Sequence, residues 1–228
     1  MPNIGRDLAT IERPKLADDA EQSNAKRELT QPQLVAYWSR IKAMEGVTGA
    51  LLRFHLLTGA QRCTQLARLA AHHVTDDAVT IYDPKGRRKQ ARKHVVPLLP
   101  EAAAALGAMR GNEGPYVFTM DGGKSGAGFH QVRRKVLEVA ADMVAAKEVP
   151  EVFTPGELRI TVETRLAAAG VPLEHRAQLQ SHGLGGVQFK HYDKHGYMDE
   201  KRAALLKLRA LCEPQPDNVT PIKRSKAA

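Results

Sequence analysis

The sequence is poor in the features that mark several large classes of protein. Only two of its 228 residues are cysteines, Cys63 and Cys212, far apart and beside no cluster of metal ligands. A disulfide framework or a zinc site needs more than that, so both are read as buried reduced thiols. No stretch of about 18 uncharged apolar residues occurs, so no membrane-spanning helix is expected. The first residues, MPNIGRDLATIERPK, carry charges where a secretory leader needs an apolar run, and a cytoplasmic location is expected. The glycines at Gly122-Gly123 are not followed by the lysine–serine pattern of a phosphate-binding loop and read as a solvated turn. No cluster of Asp/Glu or His/Cys calls for a metal, and no cofactor is expected. There is no internal repeat.

What the chain does have is positive charge. The formal net charge is +9, and hydrophobic residues make up 43%, a globular proportion. Each Lys or Arg that neutralises a phosphate releases counterions, so this balance favours a polyanionic partner. The charge is also concentrated. Lys85, Arg87, Arg88, Lys89, Arg92 and Lys93 fall within nine residues, and Lys223, Arg224 and Lys226 stand near the end.

Along the chain, residues 1–29 are charged and aperiodic and read as a linker or disordered arm. Residues 30–212 read as one domain, and 213–228 as a disordered basic tail. Thr30 predicts the cap of a helix through Leu34, Tyr37, Trp38 and Ile41. A second helix covers about 47–57 and stops at Thr58-Gly59-Ala60, and a third runs over about 62–70. Ala78–Tyr82 and His94–Val96 read as a strand pair around the turn Asp83-Pro84-Lys85-Gly86. Further helices are predicted at about 100–109, 129–147, 156–169, 173–181, 186–193 and 199–211, with a short strand at 116–118. The fold class is mainly α with a small antiparallel β-sheet, a hairpin or three strands.

Four stretches carry the residue types of phosphate chemistry. LLTGAQRCTQLARL sets a Thr-Gly turn before Arg62, which opens a helix. Lys85 follows by 23 residues in the hairpin turn. TPGELR places Arg159 in the first turn of a helix. LQSHGLGGVQFKHY places His182 23 residues after Arg159, and Tyr192 ten residues further on. Taken singly, each has a plain structural reading: a surface arginine, a solvated hairpin tip, a helix cap, a half-buried tyrosine.

In order and spacing, these stretches resemble the conserved boxes of the tyrosine recombinase (phage integrase) family over about residues 30–211. The first box has one residue more than its commonest form between the glycine and the arginine. Gln65 stands where the family carries an acid, and Gly156 where it carries a histidine. The resemblance implies the family's catalytic-domain fold. It implies a catalytic set of Arg62, Lys85, Arg159, His182 and Tyr192, and double-stranded DNA as partner. It also implies a homo-tetramer on DNA and a separate N-terminal DNA-binding domain, for which this chain has no room. The hairpin cations Arg87, Arg88, Lys89, Arg92 and Lys93 are then expected to touch DNA phosphates.

The chemistry suits these residues. Attack on a phosphodiester builds negative charge on the non-bridging oxygens, which two guanidiniums can each grip with paired N–H groups. Tyr192 attacks to form a 3′-phosphotyrosyl bond, and Lys85 protonates the leaving oxygen. Lys190, His191 and His195 are candidates for the donor that Gly156 lacks. Tyr197 is the alternative nucleophile. The expected function is site-specific integration or excision of a mobile element. The alternatives are a catalytically weakened DNA-binding module of the same fold and a type IB topoisomerase-like enzyme. Arg133, Arg134 and Lys135 read as a solvated helix face that could also touch a DNA backbone.

Overall fold

The computed structural model describes residues 27–67, 69–83, 91–109, 114–119, 129–182 and 195–214. Helix α1 spans Gln31–Ala43 and buries the stripe Leu34, Tyr37, Trp38 and Ile41, the spacing of one helical face. It starts where Thr30 donates its backbone N–H to Gln33 Oε1 at 2.9 Å. Its last carbonyls are closed by Arg53, whose Nη1 reaches Ile41 O at 2.8 Å and Met44 O at 2.6 Å.

Arg53 belongs to α2, Gly46–Leu57, which is apolar on nearly every side and is the central helix of the domain. It packs against α1, α4 (Pro100–Met109), α5 (Phe129–Ala145) and α8 (Met198–Leu211). Leu52, Phe54 and Leu56 are fully buried, each contributing about 1.5–3 kcal/mol of apolar transfer free energy. Helix α2 ends because Thr58 turns its hydroxyl back to Phe54 O at 2.8 Å and Gly59 adopts φ +86°, which favours glycine. A Cβ on Gly59 would also press on the Leu179 side chain at 3.2 Å.

Helix α3 is a single turn, Cys63–Leu66, shorter than the sequence suggests. Beyond it the backbone pairs with another segment instead of continuing the helix: Val117 N donates to Leu69 O at 3.0 Å and Ala71 N to Pro115 O at 2.9 Å. The short strand expected at 116–118 is thus an isolated bridge between Ala70 and Tyr116. Strands β1, Ala78–Asp83, and β2, Arg92–Pro97, pair antiparallel from Ala78 opposite Pro97 to Asp83 opposite Arg92. Among the described residues the sheet has these two strands and no third. Helix α6 covers Pro155–Ala168 and α7 Leu173–Leu179. The helix expected at 186–193 lies outside the described residues.

The sequence-drawn boundaries shift at both ends. Leu29 is buried and donates its N–H to Thr161 Oγ1 at 2.8 Å, and Arg27 pairs with Glu151 at 2.6 Å. Residues 27–29 therefore pack on the domain and do not belong to the arm. Glu213, assigned to the tail, bonds Arg209, Lys42 and the Trp38 indole. Among the described residues no helix is long and apolar enough to cross a membrane.

Candidate active site

The turn after α2 builds one wall. Gln61 is fully buried, and its Nε2 donates to Thr58 O at 2.7 Å and to Leu179 O at 2.9 Å. The backbone passes through Ala60 at φ +51°, a left-handed conformation costly for a residue with a Cβ. His55 closes the turn from below, its Nε2–H donating to Gln61 O at 3.0 Å. Burial pushes His55 down to a pKa of about 4, so it is neutral at pH 7. The inward Gln61 leaves Arg62 as the residue that turns toward the sheet. Arg62 Nη1 meets Asp83 Oδ2 at 2.8 Å, at the end of β1. Gln65 does not serve this guanidinium; its Oε1 accepts the Arg62 backbone N–H at 3.0 Å.

The opposite wall comes from α6 and the turn after α7. Arg159, 9% exposed, donates Nη1–H to Ala60 O at 3.0 Å and Nη2–H to Gln180 O. Burial first, and Arg62 second, bring its pKa down to about 9, so it remains a cation at neutral pH. Gln180 answers by donating Nε2–H to Arg159 O at 3.0 Å and to Gly59 O at 3.4 Å. Ser181, at φ +52°, donates its hydroxyl to Asp83 Oδ2 at 3.2 Å. His182 follows, half-buried, with its backbone N–H on Ala177 O at 2.8 Å. Arg62, Arg159 and the His182 turn are thus brought into one polar cluster.

Arg62, Arg159 and Gly156 face a cleft of about 380 Å³ that Arg133, Cys63 and Thr64 also line. Among the described residues its charged lining consists of three arginines and no carboxylate, which suits an anion. The first turn of α6 opens into it. Thr154 Oγ1 accepts the Glu157 N–H at 3.3 Å, and Glu157 Oε2 accepts the Thr154 N–H at 2.8 Å, a reciprocal cap. Among the described residues a Cβ on Gly156 would touch only Thr154 Oγ1, at 3.6 Å. Burial pushes the Cys63 thiol up to about 11, so it is protonated and a poor nucleophile.

Of the remaining expected residues, Lys85, Arg87, Arg88, Lys89 and Tyr192 lie outside the described residues. Lys93 is exposed on β2. Arg92, also expected to meet DNA, is half-buried and directs its guanidinium at Gln178 Oε1, 3.4 Å away, and His182 O, 3.5 Å away. Its place opposite Asp83 at the end of the sheet points it at the α7 turn. Tyr197, the alternative nucleophile, is 8% exposed and donates its hydroxyl to Glu174 Oε1, so it is part of the packing between α7 and α8. Of the candidates to replace the histidine missing at Gly156, His195 pairs with Glu200 at 2.8 Å, while Lys190 and His191 are not described.

Three residues escaped the sequence reading. Asp83 looked like turn chemistry only. Arg133 sat in an apparent surface charge run; Arg134 and Lys135 do pair there with Glu138, but Arg133 turns to the cleft. Lys201, on α8, is 5% exposed and donates to Val95 O at 3.0 Å and Gly196 O at 3.2 Å. Burial, then the charge of Arg92, lowers its pKa to about 8. Helical spacing gave no sign of it. Among the described residues no group of three His, Cys, Asp or Glu could hold a metal ion.

No family model matches the sequence, and no curated protein does. Solved structures do match. The chain is similar to XerA recombinase at 15% identity and a TM-score of 0.51, over 83% of this chain and 66% of that one. It is similar to the Tn1549 transposon integrase in complex with transposon right end DNA at 16% identity and a TM-score of 0.60, over 86% and 71%. A lambda integrase tetramer bound to a Holliday junction matches at 17% identity and a TM-score of 0.51, over 81% and 52%. The chain therefore spans about half to seven tenths of the length of these proteins. The fold is that of the tyrosine recombinase catalytic domain, mainly α with a small antiparallel sheet.

Proposed function

We propose that this chain is the catalytic domain of a site-specific DNA recombinase that cuts and rejoins DNA through a covalent 3′-phosphotyrosyl intermediate on Tyr192. The observation that carries this reading is the pairing of Arg62 and Arg159. They come from elements 97 residues apart (159 − 62), Arg159 held by Ala60 O and Gln180 O and Arg62 by Asp83, and both face one cleft. Two fixed guanidiniums hold the non-bridging oxygens of one phosphodiester and stabilise the charge that builds there. His182 adds a donor from the turn that Ser181 ties to Asp83. Tyr192 attacks phosphorus, its phenolic proton passing to a base of the site. Lys85 protonates the 5′ oxygen that leaves, and the bond energy kept in the phosphotyrosine permits religation. The exposed Lys93 and the hairpin cations Arg87, Arg88 and Lys89 contact the DNA backbone. The biological setting is the integration or excision of a mobile element, by a homo-tetramer on DNA within the cytoplasm.

Gly156 favours a second reading, a DNA-binding module of the same fold with weakened chemistry. The experiment that decides is a nicked suicide DNA substrate mixed with wild-type protein and with Tyr192→Phe. The enzyme reading expects an adduct that survives denaturation with wild type and is absent from the variant. Absence of adduct on a confirmed cognate site leaves the binding module. Relaxation of supercoiled DNA of arbitrary sequence points instead to a type IB topoisomerase-like activity.

A further inference from the structure

We infer that Asp83 is the positioning carboxylate for Arg62, standing in for the acid that this chain lacks at Gln65. The inference rests on the proposed phosphate chemistry of Arg62. Gln65 is 1% exposed and spends its Oε1 on the Arg62 backbone, while its buried Nε2 has no partner among the described residues. Its amide therefore fixes where the Arg62 backbone stands, not where the guanidinium points. That second task falls to Asp83. Its carboxylate is 6% exposed at residue level and receives Arg62 Nη1 at 2.8 Å and Ser181 Oγ at 3.2 Å on the same oxygen.

Three consequences follow from this geometry. A buried charged acceptor gives a stronger and more directional bond than a neutral one, so Arg62 is held in one rotamer. One of its five N–H groups goes to Asp83, and the others can serve a phosphate. Asp83 also offsets the repulsion between the clustered cations, since its charge raises the pKa of Arg159 while that of Arg62 lowers it. Finally, the shared Oδ2 ties the Arg62 rotamer to the turn that carries His182. A carboxylate at the end of β1 thus links the two arginines and the histidine turn.

A carboxylate beside an anion site opposes anion binding, so removing it separates positioning from simple attraction. Asp83→Asn keeps an oxygen for Arg62 and Ser181 but removes the charge. With the nicked DNA substrate, the variant is expected to form adduct about ten- to a hundredfold more slowly. Its affinity for that DNA is expected to be unchanged or tighter. Restoring the charge at the same place, as Asp83→Glu, is expected to recover most of the lost rate. An Asp83→Asn protein as fast as wild type overturns the inference. So does a slow one that binds DNA more weakly and is not rescued, which is the behaviour of a structural ion pair. Hydrogen exchange of the Arg62 side-chain Nε–H, followed by NMR without DNA, gives a reading independent of activity. At least a tenfold faster exchange in Asp83→Asn supports positioning, and unchanged exchange overturns it. If wild type forms no adduct, the enzyme reading fails by itself, and the exchange measurement still decides the role of Asp83.

Discussion

Arg159 and Gln180 exchange hydrogen bonds: the guanidinium donates to the Gln180 carbonyl, and the Gln180 amide returns one to the Arg159 carbonyl at 3.0 Å. Each thereby fixes the other's backbone as well as its side chain. The same guanidinium also holds Ala60 O, so a residue read as catalytic is equally a structural tie between the turns that follow α2 and α7.

Arg159→Lys is expected to fail on both counts. An ammonium cannot span two carbonyls in a planar fork. Losing a buried partner costs about 1–3 kcal/mol for each carbonyl left unsatisfied. Urea unfolding should show a loss in that range, and adduct formation should fall about a hundredfold or more. Wild-type stability in this variant would refute the tie.

Gly156→Ala is expected to stabilise the protein by about 0.5–1 kcal/mol, because the site is helical and the added methyl meets Thr154 Oγ1 at an ordinary contact distance of 3.6 Å. Gly156→His, at a position that lines the cleft, is expected to raise the rate of adduct formation about tenfold by adding a donor there. A drop in melting temperature for Gly156→Ala would show that the cleft is tighter than its geometry indicates.

Arg133 and Arg134 are adjacent but serve different surroundings. Arg133→Gln is expected to lower the slope of log K against log salt by about one for DNA binding. Arg134→Gln, whose partner is Glu138 at 3.4 Å, should leave that slope unchanged. Equal effects from the two would return Arg133 to the solvated face.

Stability is expected to fall steeply below pH 6.5. Burial holds His55 at about 4 and His94 at about 3, against about 6.5 for an unfolded histidine. The unfolded chain takes up these protons first, so each histidine costs about 1.4 kcal/mol per pH unit between 6.5 and its folded value. Melting curves from pH 7 to 5 measure this. His55→Gln, which keeps a donor for Gln61 O, should halve the slope. A flat profile between pH 6.5 and 5 would mean that neither histidine is held neutral.

The sequence made the helices legible where burial is one-sided. The Leu34, Tyr37, Trp38 and Ile41 stripe marks α1, and Thr154-Pro155 with Glu157 marks the start of α6. It failed at α3, where pairing of Leu69 and Ala71 with the 115–117 segment overrides helical periodicity. For the site, Arg62 and Arg159 could be read from their boxes because a turn or a cap precedes each. Asp83 could not, since an Asp before Pro-Lys-Gly has the local look of a turn residue and its partners, Arg62 and Ser181, are brought near only by the fold. Lys201 was hidden for the opposite reason: its surroundings on α8 look like a charged surface, and only the carbonyls of Val95 and Gly196 explain its burial.

Gln61 reaches Leu179 O and Gln180 reaches Gly59 O, so two turns far apart in the chain complete each other's hydrogen bonding. Mutational effects at the two should therefore not add. Removing either amide leaves the other turn already loosened, and a second deletion finds less to destroy. A length change in the 58–62 turn is tolerated only when the 180–182 turn accommodates it, which makes the pair one heritable unit.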